Sequence, residues 1–306
     1  MNYYRIFETR ICNHAAIKLC NPWFEKSIRG IDSCFKAKFY GIISHQCFQL
    51  STCLLCNQNC IYCWAPTERI KEIPKWKDSS YIVVSALTMY KELVFHYINQ
   101  IMQRGSQVSK KALKEAIQPR HVAISLYGES TLYPYLPEVI SKLRAYGLTV
   151  FLTTNGTRPE MIKKVTPTQL TLSLNAPTEE LYNKICRPRR KNLWSKINKT
   201  IDILGTLNVR TVIRIMLMKN LNLNMVEDYA ELIKRGSPNF IEIKCYEHIG
   251  KAKERLVQDI KPSYAEILHF AKKLSLALNR RYRIIDRVRS QSALLMSNGS
   301  RNPRIG

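Results

Sequence analysis

The chain has 306 residues, of which 45% are hydrophobic and 23% are charged. These proportions are ordinary for a folded globular protein and exclude a collagen-like, coiled-coil or disordered chain. Lysine and arginine number 48 against 23 aspartates and glutamates, which gives a formal net charge of +25 at pH 7. Because so many positive side chains repel one another, the excess favours a nucleic-acid partner or an anionic surface. A general bias toward lysine is the alternative explanation.

The sequence contains no pattern typical of a membrane segment or a secretory signal. No apolar run approaches the ~20 residues that a membrane-spanning helix needs, and Arg5, Glu8, Arg10 and Lys18 interrupt the first twenty positions. We therefore expect a cytoplasmic protein without a membrane partner. We also expect it to be a monomer. Eight of the ten cysteines lie within the first 63 residues. In a reducing compartment, such clustering indicates metal binding or catalysis rather than disulfide bonds.

Residues 1–50 are basic and cysteine-rich and lack a helical repeat of apolar residues, so we expect an extension that packs on the mouth of a larger domain. A long helix is predicted for 79–105. From residue 122 onward, short β-prone runs alternate with amphipathic segments of helix length. The predicted strands are 122–126, 149–153, 169–174, 209–217, 240–246 and 282–286, and the predicted helices are 136–146, 178–185, 193–204, 225–235 and 264–278.

This alternation predicts an α/β fold in which a parallel sheet with crossover helices closes into a partial (βα)6 barrel of the TIM type. We divide the chain into the cysteine-rich N-terminal extension at 1–50, the barrel at 51–289 and a C-terminal tail at 290–306. The tail is expected to begin with a docked strand and to end loosely. Ligands of such folds gather at the carboxyl ends of the strands, so we expect the chemistry in the loops that follow them.

Cys56, Cys60 and Cys63, which we call the loop triad, place three thiols in one loop. Three thiolates can hold three corners of an iron-sulfur cube and leave one iron open, whereas a structural zinc site takes four ligands. The C-x3-C-x2-C spacing, with Tyr62 in the aromatic position, resembles the motif of the radical S-adenosylmethionine (SAM) superfamily. The resemblance implies a radical SAM barrel, a 4Fe-4S cluster that binds SAM next to Tyr62, and an external one-electron reductant. A zinc site completed by Cys53 is the alternative.

Further residues near the predicted strand ends resemble the SAM-binding positions of that superfamily. Gly128 and Glu129 follow the first predicted strand, where a carboxylate suits the ammonium group of the cofactor. Asn155, Ser173 and Arg214 are candidates for the ribose and the carboxylate, because a guanidinium matches a carboxylate in two hydrogen bonds. Asn155 is equally explained as a turn residue, and Ser173 as an ordinary strand residue.

Cys20, Cys34 and Cys47, which we call the upstream triad, are separated by thirteen and twelve residues. They are too far apart for one loop, but a folded extension can bring them into one site. Three thiols with no fourth partner favour a second cluster with an open iron. Three buried structural cysteines are the alternative explanation of the same spacing.

A longer set of motifs resembles the archaeal family of tRNA 4-demethylwyosine synthases. The resemblance runs from residue 15 to residue 250, and its part in 15–47 is specific to this family. The matching segments are 15–20, 27–30, 34–36, 38–42, 44–47, 63–64, 128–129, 131–134, 154–157, 187–188 with Trp194, 210–214 and 240–244. The chain departs from the family pattern at Ala65, Ser130 and Glu247, and none of these is a cluster ligand.

The resemblance implies a lyase-type enzyme of wyosine biosynthesis that converts 1-methylguanosine beside the anticodon of phenylalanine tRNA into 4-demethylwyosine, with pyruvate as the donor of two carbons. It implies that the loop triad holds the radical 4Fe-4S cluster, and that the upstream triad holds an auxiliary one whose open iron chelates pyruvate. Lys36 would form a Schiff base with pyruvate. Lys38 is close enough to be the alternative, and Lys36 could also be a solvated or RNA-contacting side chain.

The densest cationic stretches are 187–191, 251–255 and 280–283, and each adjoins a predicted strand end or loop. We expect them to form a common basic rim around the barrel mouth. The candidate RNA-binding residues are Arg187, Arg189, Arg190 and Lys191. The target base of a structured RNA must leave its stack to be modified. The alternative explanation of these residues is a solvated surface, because runs of charge are often no more than that.

Two other functions fit parts of this sequence. A different radical SAM enzyme would modify another RNA base or a small purine or pteridine. A zinc-stabilised RNA-binding protein would use the same cysteines without catalysis.

Overall fold

The structure, a computed structural model, describes residues 9–65 and 75–305. The strands found there form one sheet. They are β1 (Arg10–Cys12), β2 (Ala15–Leu19), β3 (Cys47–Ser51), β4 (His121–Ile124), β5 (Thr149–Thr154), β6 (Gln169–Ser173), β7 (Arg210–Leu217), β8 (Phe240–Cys245), β9 (Arg283–Val288) and β10 (Ala293–Ser297). Their order across the sheet is β1-β2-β3-β4-β5-β6-β7-β8-β10-β9.

Helices connect and cover the strands. They are α1 (Trp23–Ile28), α2 (Phe35–Tyr40), α3 (Ser79–Gln103), α4 (Lys110–Ala116), α5 (Leu136–Ala145), α6 (Pro159–Ile162), α7 (Glu179–Cys186), α8 (Leu193–Leu204), α9 (Val226–Gly236) and α10 (Tyr264–Ala277). Short 3-10 turns lie at Ser44–Gln46, Ser130–Leu132, Gly250–Glu254, Gln258–Ile260 and Arg289–Gln291. In the described part of the chain, no helix is long and apolar enough to cross a membrane.

Six neighbouring strands, β3 to β8, pair in parallel. This arrangement confirms the predicted α/β class and the partial (βα)6 barrel. The segment predicted as a strand at 282–286 does form a strand, β9, but its place in the parallel set is wrong because β9 pairs antiparallel with β10. The sixth parallel strand is β3, which the sequence did not indicate. Every second side chain of β3 carries a thiol, an amide or a hydroxyl, so the strand has no apolar run long enough to predict it.

The crossover helices bury their apolar stripes against the outer face of the sheet. In α5, Leu136, Val139, Ile140 and Leu143 recur at intervals of three and four residues and are all fully buried. Burial of each such side chain contributes about 1.5–3 kcal/mol. The helical periodicity of the sequence therefore corresponds to the main hydrophobic core.

The inner face of the sheet surrounds a second hydrophobic cluster, and we call this space the lumen. Val212 on β7 and Phe240 on β8 point into it, whereas the adjacent Ile213 and Ile241 point to the outer core. The members of the cluster are Cys34, Phe39, Tyr40, Ile42, Cys47, Ala123, Phe151, Val212, Phe240, Ala293 and Leu295. The expected packing of the N-terminal extension on the barrel mouth is thus wrong in part, because α2 lies inside the lumen.

Both ends of the described chain are integrated into the sheet. β1 and β2 extend it antiparallel beyond β3, and β10 is the predicted docked strand. The residues after β10 are not loose as expected. The amide of Ile305 donates to the Tyr40 carbonyl oxygen at 2.9 Å, and Arg210 donates to the carbonyl oxygens of Asn302 and Pro303 at 2.6 and 2.8 Å. The division of the chain at residues 50 and 289 stays a prediction.

Candidate active site in the lumen

The loop that carries the loop triad, which we call the cysteine loop, lies directly against the carboxyl end of β4. Gly128 follows this strand with a φ of +67°, and a Cβ at this position would lie 2.1 Å from the carbonyl oxygen of Cys53. The amide of Glu129 donates to the carbonyl oxygen of Leu55 at 2.7 Å. Residue 128 must therefore be glycine, both for its backbone conformation and for this close approach.

Two other segments hold the same loop from the opposite side. The amide of Asn59 donates to the carbonyl oxygens of Cys186 and Arg187, at the end of α7, at 3.1 and 3.0 Å. The guanidinium of Arg255 donates to the Ile61 carbonyl oxygen at 3.1 Å and to the carbonyl oxygen of the last triad cysteine. Hydrogen bonds from distant parts of the chain thus fix the backbone of the loop.

The thiols of the loop triad lie close enough to influence one another. Burial raises the pKa of Cys56, and the neighbouring Cys60 and Glu129 raise it further. Burial raises the pKa of Cys63 to about 11, with Cys60 as the next cause. A hydrogen bond with Cys186, a neighbour that the sequence did not indicate, is the largest cause of the raised pKa of Cys60. Such a donor set suits a cationic metal centre, which binds thiolates and offsets their mutual repulsion.

Cys53 is hydrogen-bonded within its own loop. Its fully buried thiol donates to the Leu55 carbonyl oxygen at 3.6 Å, and burial raises its pKa to about 12. Across residues 9–65 and 75–305, no three His, Cys, Asp or Glu side chains are arranged to hold a single metal ion. The described residues therefore give no support to the alternative explanation, a zinc site completed by Cys53.

Glu129 joins the ends of β4 and β5 to each other. Its Oε1 accepts hydrogen bonds from the amide and the hydroxyl of Thr131, at 3.1 and 2.6 Å, and from the hydroxyl of Thr154 at 2.6 Å. Its Oε2 accepts from the amide of Asn155 at 2.7 Å, and the Asn155 side chain donates to Asn57 of the cysteine loop at 2.8 Å. A carboxylate has about four acceptor positions, so Oε2 keeps room for one further donor. Cofactor binding by Gly128, Glu129 and Asn155 stays a prediction.

Tyr62 is anchored by a residue that follows β6. The side-chain amide of Asn175 donates to the Tyr62 hydroxyl at 2.7 Å, and its oxygen accepts from the amide of Met216 at 3.0 Å. Burial raises the pKa of Tyr62, so the ring keeps its proton. The aromatic position of the motif is thereby tied to β7, and its contact with a cofactor stays a prediction.

A buried ion pair links the neighbouring strands β7 and β8 inside the lumen, at the level of Ser173, which is the register partner of Arg214. The Arg214 Nε donates to Glu242 Oε2 at 2.5 Å, and the Tyr40 hydroxyl donates to the other carboxylate oxygen. Burial alone would raise the pKa of Glu242, but Arg214 outweighs it and holds that pKa below its usual value. The Nε of Arg214 is thus committed to Glu242, and contacts of Arg214 and Ser173 with SAM stay predictions.

The upstream triad converges inside the lumen although its members are distant in sequence. Burial raises the pKa of Cys20 to about 11, with Cys34 as the next cause. Burial raises the pKa of Cys47 to about 12, and both Cys34 and Cys20 add to the increase, whereas Lys36 opposes it. The hydroxyl of Ser44 donates to the Cys34 thiol at 3.3 Å. The mutual influence of the three thiols favours a shared site over three separate structural cysteines.

Lys36 and Lys38 extend from α2 in different directions. The ammonium of Lys36 lies 5.4 Å from the ring centre of Phe151 in the lumen. The ammonium of Lys38 is exposed, lies 3.4 Å from Asp286 and donates to the carbonyl oxygen of Arg287 at 2.8 Å. Only Lys36 of this pair faces the upstream triad.

The basic stretches do not all lie at the same end of the barrel. The 187–191 and 251–255 stretches adjoin the cysteine loop, since the amides of Arg189 and Lys251 donate to the carbonyl oxygens of Asn57 and Trp64, at 2.9 and 3.0 Å. The 280–283 stretch was wrongly predicted to share this rim. Its last residue is level with the first residue of β8, at the amino end of the strands, because β9 runs in the same direction as β8.

A family model described as the radical SAM superfamily matches residues 50–233, and one described as wyosine base formation matches residues 235–298. The chain is thus a radical SAM enzyme, a class that implies SAM and a 4Fe-4S cluster.

The family within this class follows from close relatives. The chain is 38% identical to the SAM-dependent tRNA 4-demethylwyosine synthase of Methanocaldococcus jannaschii over 97% of this chain and 95% of the relative. It is 37% identical to the corresponding synthase of Pyrococcus abyssi over 85% of this chain and 77% of the relative. A solved structure of TYW1 with a lysine-pyruvate adduct bound is 38% identical and superimposes with a TM-score of 0.88, covering 97% and 95% of the two chains. The chain belongs to the tRNA 4-demethylwyosine synthase family, which confirms the resemblance noted in the sequence.

Gly128 and Gly147 provide a matched test of the loop geometry. Both have positive φ, so alanine costs about 1–2 kcal/mol of backbone strain at either position. Only at Gly128 does the new Cβ collide with the cysteine loop, whereas nothing lies within 4 Å of a Cβ at Gly147. We expect Gly128→Ala to lower the iron content after anaerobic reconstitution and Gly147→Ala to preserve it. Equal iron content in the two variants would contradict this account of the loop.

Proposed function

We propose that this chain is a cytoplasmic, monomeric enzyme that converts 1-methylguanosine beside the anticodon of phenylalanine tRNA into 4-demethylwyosine, using two carbons of pyruvate. The observation that carries the proposal is the position of Lys36, whose ammonium lies in the lumen near the upstream triad. The names of the relatives and the lysine-pyruvate adduct of a similar solved structure support the same substrates. The electron comes from an external one-electron reductant.

The loop triad would hold the 4Fe-4S cluster that the radical SAM class implies. Its three mutually close thiols fit a cube with one open iron. When bound, this cluster supplies the electron that cleaves SAM into a hydrogen-abstracting radical. Residues of the chain hold the loop in place: Gly128 allows its approach to β4, and Arg255 fixes its carbonyl groups.

The upstream triad would hold an auxiliary 4Fe-4S cluster. Its three thiols come from β3, from the N-terminal end of α2 and from the residue after β2. Three thiol donors again leave one iron without a protein ligand, which suits a small chelating substrate such as pyruvate. The partly buried Lys36 would add the amine that this substrate needs.

Lys36 would act as the nucleophile toward pyruvate. Its Nζ attacks the carbonyl carbon, a C–N bond forms, and the carbonyl oxygen leaves as water to give a Schiff base. The position of α2 inside the lumen keeps this amine beside the upstream triad. Lys38, which pairs with Asp286 on β9, is not available for the same role.

The tRNA would bind over the cysteine loop. The 187–191 stretch is exposed apart from Pro188, and residues 188–191 line a cavity of about 430 Å³ together with Tyr182 and Trp194. The half-buried Trp194 packs against the buried Tyr182, with 5.5 Å between their ring centres. An aromatic ring beside cationic side chains suits an RNA loop with unstacked bases. Gln58 of the cysteine loop donates to the Tyr182 hydroxyl at 2.9 Å. RNA bound here would therefore lie next to the radical site.

Lys36 and Lys38 form the first test. After borohydride reduction of the reconstituted enzyme with pyruvate, we expect one adduct on the peptide that contains Lys36, detected by mass spectrometry. Lys36→Met should abolish both the adduct and the tricyclic nucleoside formed on tRNA, because the reacting amine is gone. Lys38→Met should keep both, since Lys38 is paired outside the lumen. An adduct on Lys38, or none in the unchanged enzyme, would contradict the proposal.

The second test concerns RNA binding. Arg189→Ala with Arg190→Ala should weaken tRNA binding and make the slope of log affinity against log salt shallower by about 1–2, if each residue neutralises one phosphate. The matched control is Arg280→Ala with Arg283→Ala, which removes the same charge from the opposite end of the barrel. Binding measured across a salt series should leave the control slope unchanged. The same slope in both double variants would overturn this RNA-binding surface.

A further inference from the structure

The lumen contains a second lysine to which nothing above gives a role. Lys244 lies on β8 near its carboxyl end, on the same face as Phe240 and Glu242. Its ammonium lies 4.2 Å from the ring centre of Phe35, the first residue of α2. Among residues 9–65 and 75–305, no carboxylate forms an ion pair with it.

The acidic residues nearest to Lys244 are already paired with other cations. Glu242 is held by Arg214 at 2.5 Å and by the Tyr40 hydroxyl. Glu247 accepts a hydrogen bond from Lys261 at 2.7 Å. No described carboxylate is therefore left to pair with the Lys244 ammonium, and a ligand carboxylate bound beside it would supply that partner.

Lys244 and Lys36 both lie at the start of α2 in the lumen. Lys36 is the second residue of α2, and the Lys244 ammonium lies over the ring of the first residue, Phe35. Lys36 comes from α2, whose start is fixed because the amide of Phe35 donates to Gln291 at 2.8 Å, and Lys244 comes from β8. A small molecule attached to Lys36 would therefore lie near the Lys244 ammonium.

We propose that Lys244 binds the carboxylate of the 2-oxo acid whose carbonyl carbon reacts with Lys36, an inference that rests on the proposed function. In a 2-oxo acid the carboxylate is bonded directly to the carbonyl carbon, so a molecule attached to Lys36 presents its negative charge within a few bonds. Lys244 then supplies a charge-assisted hydrogen bond that a neutral ketone or ester cannot use. It selects 2-oxo acids over uncharged carbonyl compounds.

The test compares pyruvate with methyl pyruvate, its uncharged ester, in borohydride trapping on the reconstituted enzyme. We expect Lys244→Met to raise the half-saturating concentration of pyruvate by about 10- to 100-fold, as loss of one charge-assisted hydrogen bond predicts. Trapping of methyl pyruvate should not change. Lys244→Arg, which keeps the charge, should restore most of the pyruvate affinity, and Lys38→Met is the matched control.

Iron content and SAM cleavage without pyruvate report whether each variant remains folded, and Lys244→Gln replaces Lys244→Met if the latter loses iron. An unchanged half-saturating concentration of pyruvate in a variant that retains iron overturns the assignment. So does a rise in the SAM requirement in place of the pyruvate requirement, because Lys244 would then serve the other carboxylate ligand. Absence of any adduct in the unchanged enzyme refutes the proposed function itself, and this inference with it.

Discussion

The insertion of α2 into the lumen is the constraint on which the rest of the site depends. It places Lys36 on the inside and Lys38 on the outside of the same short helix. Contacts at its far end hold it there, because the Tyr40 hydroxyl donates to the buried Glu242 and the Tyr40 carbonyl oxygen accepts from Ile305. The polar groups buried with α2 all need partners. The position of the proposed nucleophile is thus set by hydrogen bonds and not by a flexible loop.

Positive charge serves the same purpose inside and outside this protein. In the lumen, Arg214 is balanced by Glu242, whereas Lys36 and Lys244 have no acidic partner among the described residues. On the surface, the net charge of +25 includes the exposed 187–191 stretch beside the cysteine loop. Both excesses favour anionic ligands, a small carboxylate within and an RNA backbone at the mouth.

The sequence predicted the parts of the structure that repeat. The buried apolar residues of helices such as α5 recur with a helical period, and the loop triad has a fixed local spacing. The sequence did not indicate that Arg214 is paired with Glu242, that Cys60 contacts Cys186 or that β3 belongs to the barrel. These contacts join positions far apart in the chain, and no local period encodes them. Lys36 could be separated from Lys38 only once the direction of α2 was known.

The central claim is that two cysteine triads of one chain each hold a 4Fe-4S cluster. Iron and sulfide analysis after anaerobic reconstitution tests it most directly, on the unchanged protein and on Cys34→Ala, Cys56→Ala and Cys53→Ala. Two clusters require about eight irons per chain, about four in Cys34→Ala and in Cys56→Ala, and about eight in Cys53→Ala. Four irons that Cys34→Ala leaves unaffected, or zinc in place of iron, would contradict the account.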